Sequence, residues 1–168
     1  MKYSGPKDRV DAARSENTSA DELAFLSKAD EIFVRAAVAR NVNTPINVLN
    51  ALAARDLSSE KDWEIAANLA ENPNLRTETL LKLMESILRS SKDIEPRDYY
   101  QNLTVLAVSR SGAATPDILT MLSNPEYIPK HLRYNLLQSE SRLELIELLL
   151  KDPSEKIRKR ANSFLPKI

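Results

Sequence analysis

Short apolar-patterned segments alternate with short polar breaks along this chain, and five leucine pairs mark the rhythm. Leu23 and Leu26, Leu49 and Leu52, Leu80 and Leu83, Leu119 and Leu122, and Leu145 and Leu148 all have the spacing L-x-x-L. From the first leucine of one pair to that of the next, the steps are 26, 31, 39 and 26 residues. Residues three apart share a helix face, so each pair predicts the buried edge of an amphipathic helix. Upstream of the first four pairs, "VDAARSENTSADEL", "VRAAVARNVNTPINVL", "WEIAANLAENPNLRTETL" and "LAVSRSGAATPDIL" run from an Ala-rich segment through a polar break into the leucine helix. The unit is therefore helix, break, helix.

The breaks read as helix punctuation. Asn41 tolerates the left-handed conformation that ends many helices. Thr44 suits an N-cap, with Pro45 at the first helical position where its missing N–H costs nothing. Thr115-Pro116 repeats that pair, and Asn124-Pro125 opens one more helix. Ser19 with Glu22, Ser59 with Asp62, Ser141 with Glu144, and Asp152-Pro153 with Glu155 have capping-box spacing or a close variant. The predicted helices are 8–15, 20–29, 31–40, 45–55, 60–71, 77–90, 96–110, 116–123, 125–138, 141–151 and 153–164. Each pair is too small to bury its own apolar face. Stacked pairs bury a continuous core, so the expected fold is all-α, a short α-solenoid of about five helical repeats in one domain. The repeats fall at approximately 8–30, 31–56, 57–90, 96–124 and 125–152, with a C-terminal cap at 153–168.

"VRAAVARNVNTPINVLNALAARD" and "WEIAANLAENPNLRTETLLKL" resemble the variant leucine-rich repeat, an all-helical relative of the HEAT and armadillo repeats. The resemblance is close over 31–86 and weaker over 8–30 and 104–164. It implies helix pairs stacked into a right-handed superhelix. A founding-type member of that family carries a cysteine-ligated iron–sulfur domain, whereas this chain has no cysteine. The resemblance speaks to fold more than to function.

Composition narrows the function classes. Lys plus Arg and Asp plus Glu number 24 each, so net charge pulls neither toward nucleic acid nor toward anionic membrane. Without cysteine there is no disulfide, thiolate metal site or cysteine nucleophile. Two isolated glycines, Gly5 and Gly112, cannot supply a phosphate loop or dinucleotide fingerprint. No signal-like or membrane-spanning run is present, and the expected location is cytoplasmic.

Candidate chemistry is sparse. His131 is the only histidine, which excludes a multi-histidine metal site. Glu144 with Glu147, and Asp8 with Asp11, read as the solvated faces of helices rather than acid–base pairs. Aligned on the leucine pairs, Trp63 falls where Ile32 sits, which places it in the core. The chain reads as a non-enzymatic scaffold for a protein or peptide, with no cofactor, no metal and no membrane partner. Its candidate surface is Arg35 and Arg40, the adjacent Tyr99 and Tyr100, and Lys92 and Arg97 in the insertion that lengthens the third step. The alternative is nucleic-acid binding through the basic "KIRKR" segment, where Lys156, Lys159 and Arg160 share a face opposite Ile157, Ala161 and Leu165. A polar outer face is also what a solenoid's terminal cap needs, and that is the favoured reading of the segment. HEAT-like folds include DNA glycosylases, but neutral charge and few aromatics argue against such a groove here.

Overall fold

The computed structural model describes residues 3–55, 62–90, 99–138 and 141–165, with backbone alone at 86–90, 99–101 and 103. Those residues form eleven α-helices and no strand: α1 Pro6–Arg14, α2 Ala20–Leu26, α3 Ile32–Arg40, α4 Ile46–Ala53, α5 Trp63–Glu71, α6 Thr77–Ser90, α7 Tyr99–Arg110, α8 Pro116–Ser123, α9 Lys130–Asn135, α10 Leu143–Leu149 and α11 Glu155–Asn162. Each helix predicted from the pattern has its counterpart.

The odd-numbered helices pack in chain order, α1 on α3, α3 on α5, α5 on α7, α7 on α9 and α9 on α11. Of the even-numbered helices, α4 packs on α6 and α8 on α10; α1 to α7 each also touch the next helix in the chain, as α10 touches α11. Between the two rows lies the apolar core. Alanines at 36, 37 and 39 of α3 and at 66, 67 and 70 of α5 are buried. Small side chains there let neighbouring odd helices approach closely. Trp63 is 4% exposed, in the core as its register requires, and its carbonyl accepts from the Thr104 hydroxyl at 3.2 Å.

The leucine pairs at 23/26, 49/52, 80/83 and 119/122 are fully buried, each side chain worth about 1.5–3 kcal/mol in transfer energy. The fifth pair is shifted by one residue. Ile146 and Leu149 are buried and Leu148 is only partly so. With Ile146 as the first member, Leu145 matches Val48 and Ile118, the buried residues that precede the second and fourth pairs. Pattern alone favoured the leucines, but Ile and Leu fill the same core volume.

Several readings of the breaks need correction. Ser141 does not cap α10, whose N-cap is Arg142; its hydroxyl donates back to the Leu136 carbonyl. Pro45 is the N-cap of α4 rather than its first helical residue. Asn41 ends α3 in an extended conformation with φ −66° and ψ 125°, and no described residue has positive φ. Its side chain instead forms an Asx turn: Oδ1 accepts from the Asn43 N–H at 2.9 Å. Thr44 does not cap α4. Its hydroxyl donates backward to the Val38 carbonyl at 2.6 Å, closing α3, as Thr18 closes α1 through the Ala12 carbonyl at 2.6 Å. Asn124-Pro125 does not open a helix. Asn124 Oδ1 accepts from the Glu126 N–H, and the N–H groups of Tyr127 and Ile128 fold onto the Asn124 carbonyl. That turn competes with helix formation, and Pro129 disfavours the α region for Ile128, so α9 begins only at Lys130. Ser19 does cap α2, accepting from the Glu22 N–H at 3.3 Å. Ser59 lies outside the described residues.

Asparagines tie consecutive turns together. Asn41 Nδ2 donates to the carbonyls of Ala13 and Ser15, both at 2.9 Å. Asn72 Nδ2 donates to those of Ala39 and Asn41 at 2.8 and 2.9 Å. Asn43 and Asn74 extend the same ladder to the carbonyls of Glu16 and Val42. The carbonyls of Ala13 and Ala39, in the last turns of α1 and α3, lack intrahelical partners, and these amides satisfy them together with carbonyls of the turns that follow.

Candidate interaction surface

Four odd-numbered helices carry an arginine that turns inward. On α3, Arg35 Nη1 donates to the carbonyls of Ala29 and Asp30 at 2.8 and 2.7 Å, and Nη2 lies 3.7 Å from Asp62, the N-cap of α5. Arg9 of α1 pairs with Glu31, the N-cap of α3. Arg133 of α9 meets Asp152, just before α11, at 2.7 Å, and also bonds the Ile128 carbonyl. Arg158 of α11 donates to the carbonyls of Asp152 and Pro153 at 2.6 and 2.9 Å. The guanidinium fork reaches several acceptors at once, which an ammonium cannot do. Arg35, a sequence candidate for the surface, is thus a latch between helices.

Burial alone would raise the Asp152 carboxyl. Hydrogen bonds from Arg133 and the Ser154 N–H, with the charges of Arg133 and Arg158, outweigh that and hold it below the ordinary aspartate value.

Arg40 stands differently. It is the last residue of α3, exposed, and lines a cleft of about 380 Å³ with Arg14, Glu16, Asn41, Val42, Glu64 and Asn68. Arg14 and Arg40 end α1 and α3 in equivalent places, where a cation complements the helix dipole. The side chains of Arg14, Glu16, Arg40 and Glu64 make no hydrogen bond or ion pair among the described residues. Val42 at the cleft is 45% exposed, and Phe33, seven residues before Arg40 on α3, is 47% exposed. Two cations, two anions and the apolar side chains of Ala37 and Val42 therefore share one cleft with no internal partner for the charges.

The C-terminal cations are largely committed. Arg160 lies 4.5 Å from the Tyr134 ring centre and donates from Nε and Nη2 to the Leu137 carbonyl at 3.0 and 2.8 Å. Lys156 lies 4.7 Å over the same ring, a cation–π arrangement. Lys159 pairs with Glu155 at 2.7 Å. Ile157 and Ala161 are buried on the other side of α11. Tyr99 and Tyr100 open α7, but their side chains lie outside the described residues, as do Lys92 and Arg97 entirely.

The sequence reading missed Arg14, Glu16, Glu64 and Val42. One signal was present: Arg14 and Arg40 are 26 residues apart, the step of the first two leucine pairs. Nothing local marks Glu64, which the fold alone brings beside them. His131 is partly buried, and that burial lowers its pKa. Among the described residues no three His, Asp or Glu side chains converge as a metal site. None of their helices is long and apolar enough to cross a membrane.

What these observations define is an all-α protein of short packed helix pairs with a mixed-charge cleft on its odd-helix row. No protein-family model, curated protein or solved structure matches the chain.

Proposed function

We propose that this chain is a non-enzymatic repeat scaffold that binds a protein or peptide, built as a short right-handed α-solenoid of the variant leucine-rich or HEAT-like kind. Support for the solenoid comes from the chain-order packing of α1, α3, α5, α7, α9 and α11 and from the asparagine ladder that recurs with the repeat step. One observation carries the binding role: Arg14, Glu16, Arg40 and Glu64 line a single cleft without internal partners, together with exposed Val42. Interfaces use arginine and aromatic anchors inside a polar rim. Charges of both signs suit a polypeptide better than a uniformly anionic phosphate chain.

The test is retention of partners from native extract on the immobilised chain, alongside the Arg14→Glu/Arg40→Glu variant. A partner held by the wild type and lost by the variant is the expected result. No specific partner, together with turnover of a substrate, would overturn the reading. The nucleic-acid alternative finds less support, because Arg158 and Arg160 spend their donors internally and Lys159 is paired. It predicts retention on DNA or RNA that falls steeply between about 50 and 200 mM salt.

A further inference from the structure

The asparagine ladder breaks between the third and fourth helix pairs, and a cleft opens at the break. Positions 41 and 43 of the second turn, and 72 and 74 of the third, are all asparagine; the corresponding positions of the fourth are Ser111 and Ala113, with Gly112 between them. Ser111 Oγ still accepts from the Ala113 N–H, at 3.4 Å, replacing the Oδ1 half of the asparagine. It has no counterpart to the Nδ2 half. The carbonyls of Ala70, Asn72 and Pro73 stand where those of Ala39, Asn41 and Val42 stand one turn earlier. The earlier three accept asparagine amides. The later three accept no side-chain donor among the described residues. Around them lies a cleft of about 420 Å³, lined by Ala70, Asn72, Pro73, Arg110, Ser111 and Gly112, among others.

We infer that this cleft is a binding site for a side-chain carboxamide, the asparagine or glutamine of a bound polypeptide, which completes the ladder from outside. The inference rests on the scaffold reading for the identity of the partner, and on the broken ladder for the chemistry. A peptide carbonyl has two lone pairs, and the Asn72 carbonyl uses one for the Leu75 N–H at 3.0 Å, as Asn41 uses one for Thr44. By that equivalence the Ala70 and Asn72 carbonyls share the place where the upstream turn holds one carboxamide nitrogen, and the Pro73 carbonyl marks the place of a second. Glu71 and Arg110 contribute one charge of each sign to the lining, which favours a neutral donor over an ammonium. The cleft is open on its solvent side, where the carboxamide oxygen keeps its water.

The test uses the full ¹⁵N-labelled chain and N-acetyl-asparagine methylamide as probe. Saturable shifts are expected in the backbone amides of 70–72, 74, 75 and 111–114, with none from N-acetyl-alanine methylamide. Ser111→Asn with Ala113→Asn supplies the amides from within, and should raise Tm and abolish the shifts. Should that variant not fold, Gly112→Val serves. Gly112 lines the cleft, has no atom within 4 Å of an added Cβ and no positive φ, so valine is accommodated there; the bulk it adds at the cleft wall is expected to weaken probe binding by at least about tenfold. No saturable shift in the wild type, or equal shifts from the alanine probe, would overturn the inference. So would undiminished binding in the filled variant. The titration needs no partner, so its failure leaves the scaffold reading intact. Failure to retain a partner leaves the titration result standing.

Discussion

Asn72 reaches back 31 residues to Asn41, its carboxamide nitrogen 2.9 Å from the Asn41 carbonyl oxygen at a site closed to solvent. The same nitrogen meets the Ala39 carbonyl, and Asn72 Oδ1 holds the Asn74 N–H at 2.9 Å. Asn72→Ala leaves these three groups without their partner and is expected to cost about 2–4 kcal/mol. Asn72→Asp keeps the acceptor but turns an oxygen toward two carbonyls, so it should cost more at pH 7 than alanine does. Urea unfolding of both variants checks the order. An aspartate variant as stable as the wild type would remove the ladder from the account.

Arg133 and Asp152 form the most buried ion pair among the described residues, their side chains 5% and 0% exposed. Asp152→Asn leaves the guanidinium buried opposite a neutral group, and a loss of about 3–5 kcal/mol is expected. Adding Arg133→Met should recover part of it, since no unpaired charge remains.

The pH dependence of that pair has a definite sign. The folded Asp152 carboxyl lies below its ordinary value, so the folded state favours the ionised form. Its stabilisation is present above about pH 4, the unfolded value, and is lost as pH falls through the lower folded value. Wild-type Tm should therefore fall on that acid side more steeply than the Tm of Asp152→Asn. Parallel acid branches would mean that the pair does not couple to folding.

Thr44 serves the helix before it rather than the one after. Thr44→Val preserves shape and removes the hydroxyl bond to Val38, at an expected cost of about 1 kcal/mol. Hydrogen exchange should quicken at the end of α3, near residues 38–41, and not at the start of α4. The reverse pattern would restore the N-cap assignment.

Arg14 and Arg40 are exposed and unpaired internally, so Arg14→Glu with Arg40→Glu should leave stability within about 0.5 kcal/mol of the wild type. Thermal melts check that the variant is a fair control for partner retention. A large drop in Tm would mean that these arginines belong to the fold.

Much of the architecture was legible because it is local. Leucines three apart, alanine-rich segments and polar breaks specify amphipathic helices whatever surrounds them, and each predicted helix has a described counterpart, α9 alone starting well inside its predicted span. Trp63 followed from register alone. The readings that failed concern which neighbour a polar side chain chooses. Asn41, Thr44 and Asn124 each bear groups suited to a cap. Each instead bonds a group fixed by a turn or a preceding helix end. Arg35 and Arg40, five residues apart, look alike in the sequence, yet one is spent on Ala29, Asp30 and Asp62 while the other faces a cleft.

The sequence by itself determined the helices, their apolar faces and the step at which they recur. Periodic burial is a property of short segments, and hydrophobic transfer energy has no direction. Tertiary structure alone decided which polar groups are consumed and which remain available. Hydrogen bonds and ion pairs are short-range and directional, so an arginine becomes a latch only when the next helix brings an acid to it. By the same physics, the gap at Ser111 and Ala113 becomes a cleft only because the preceding turn aligns three carbonyls along its edge.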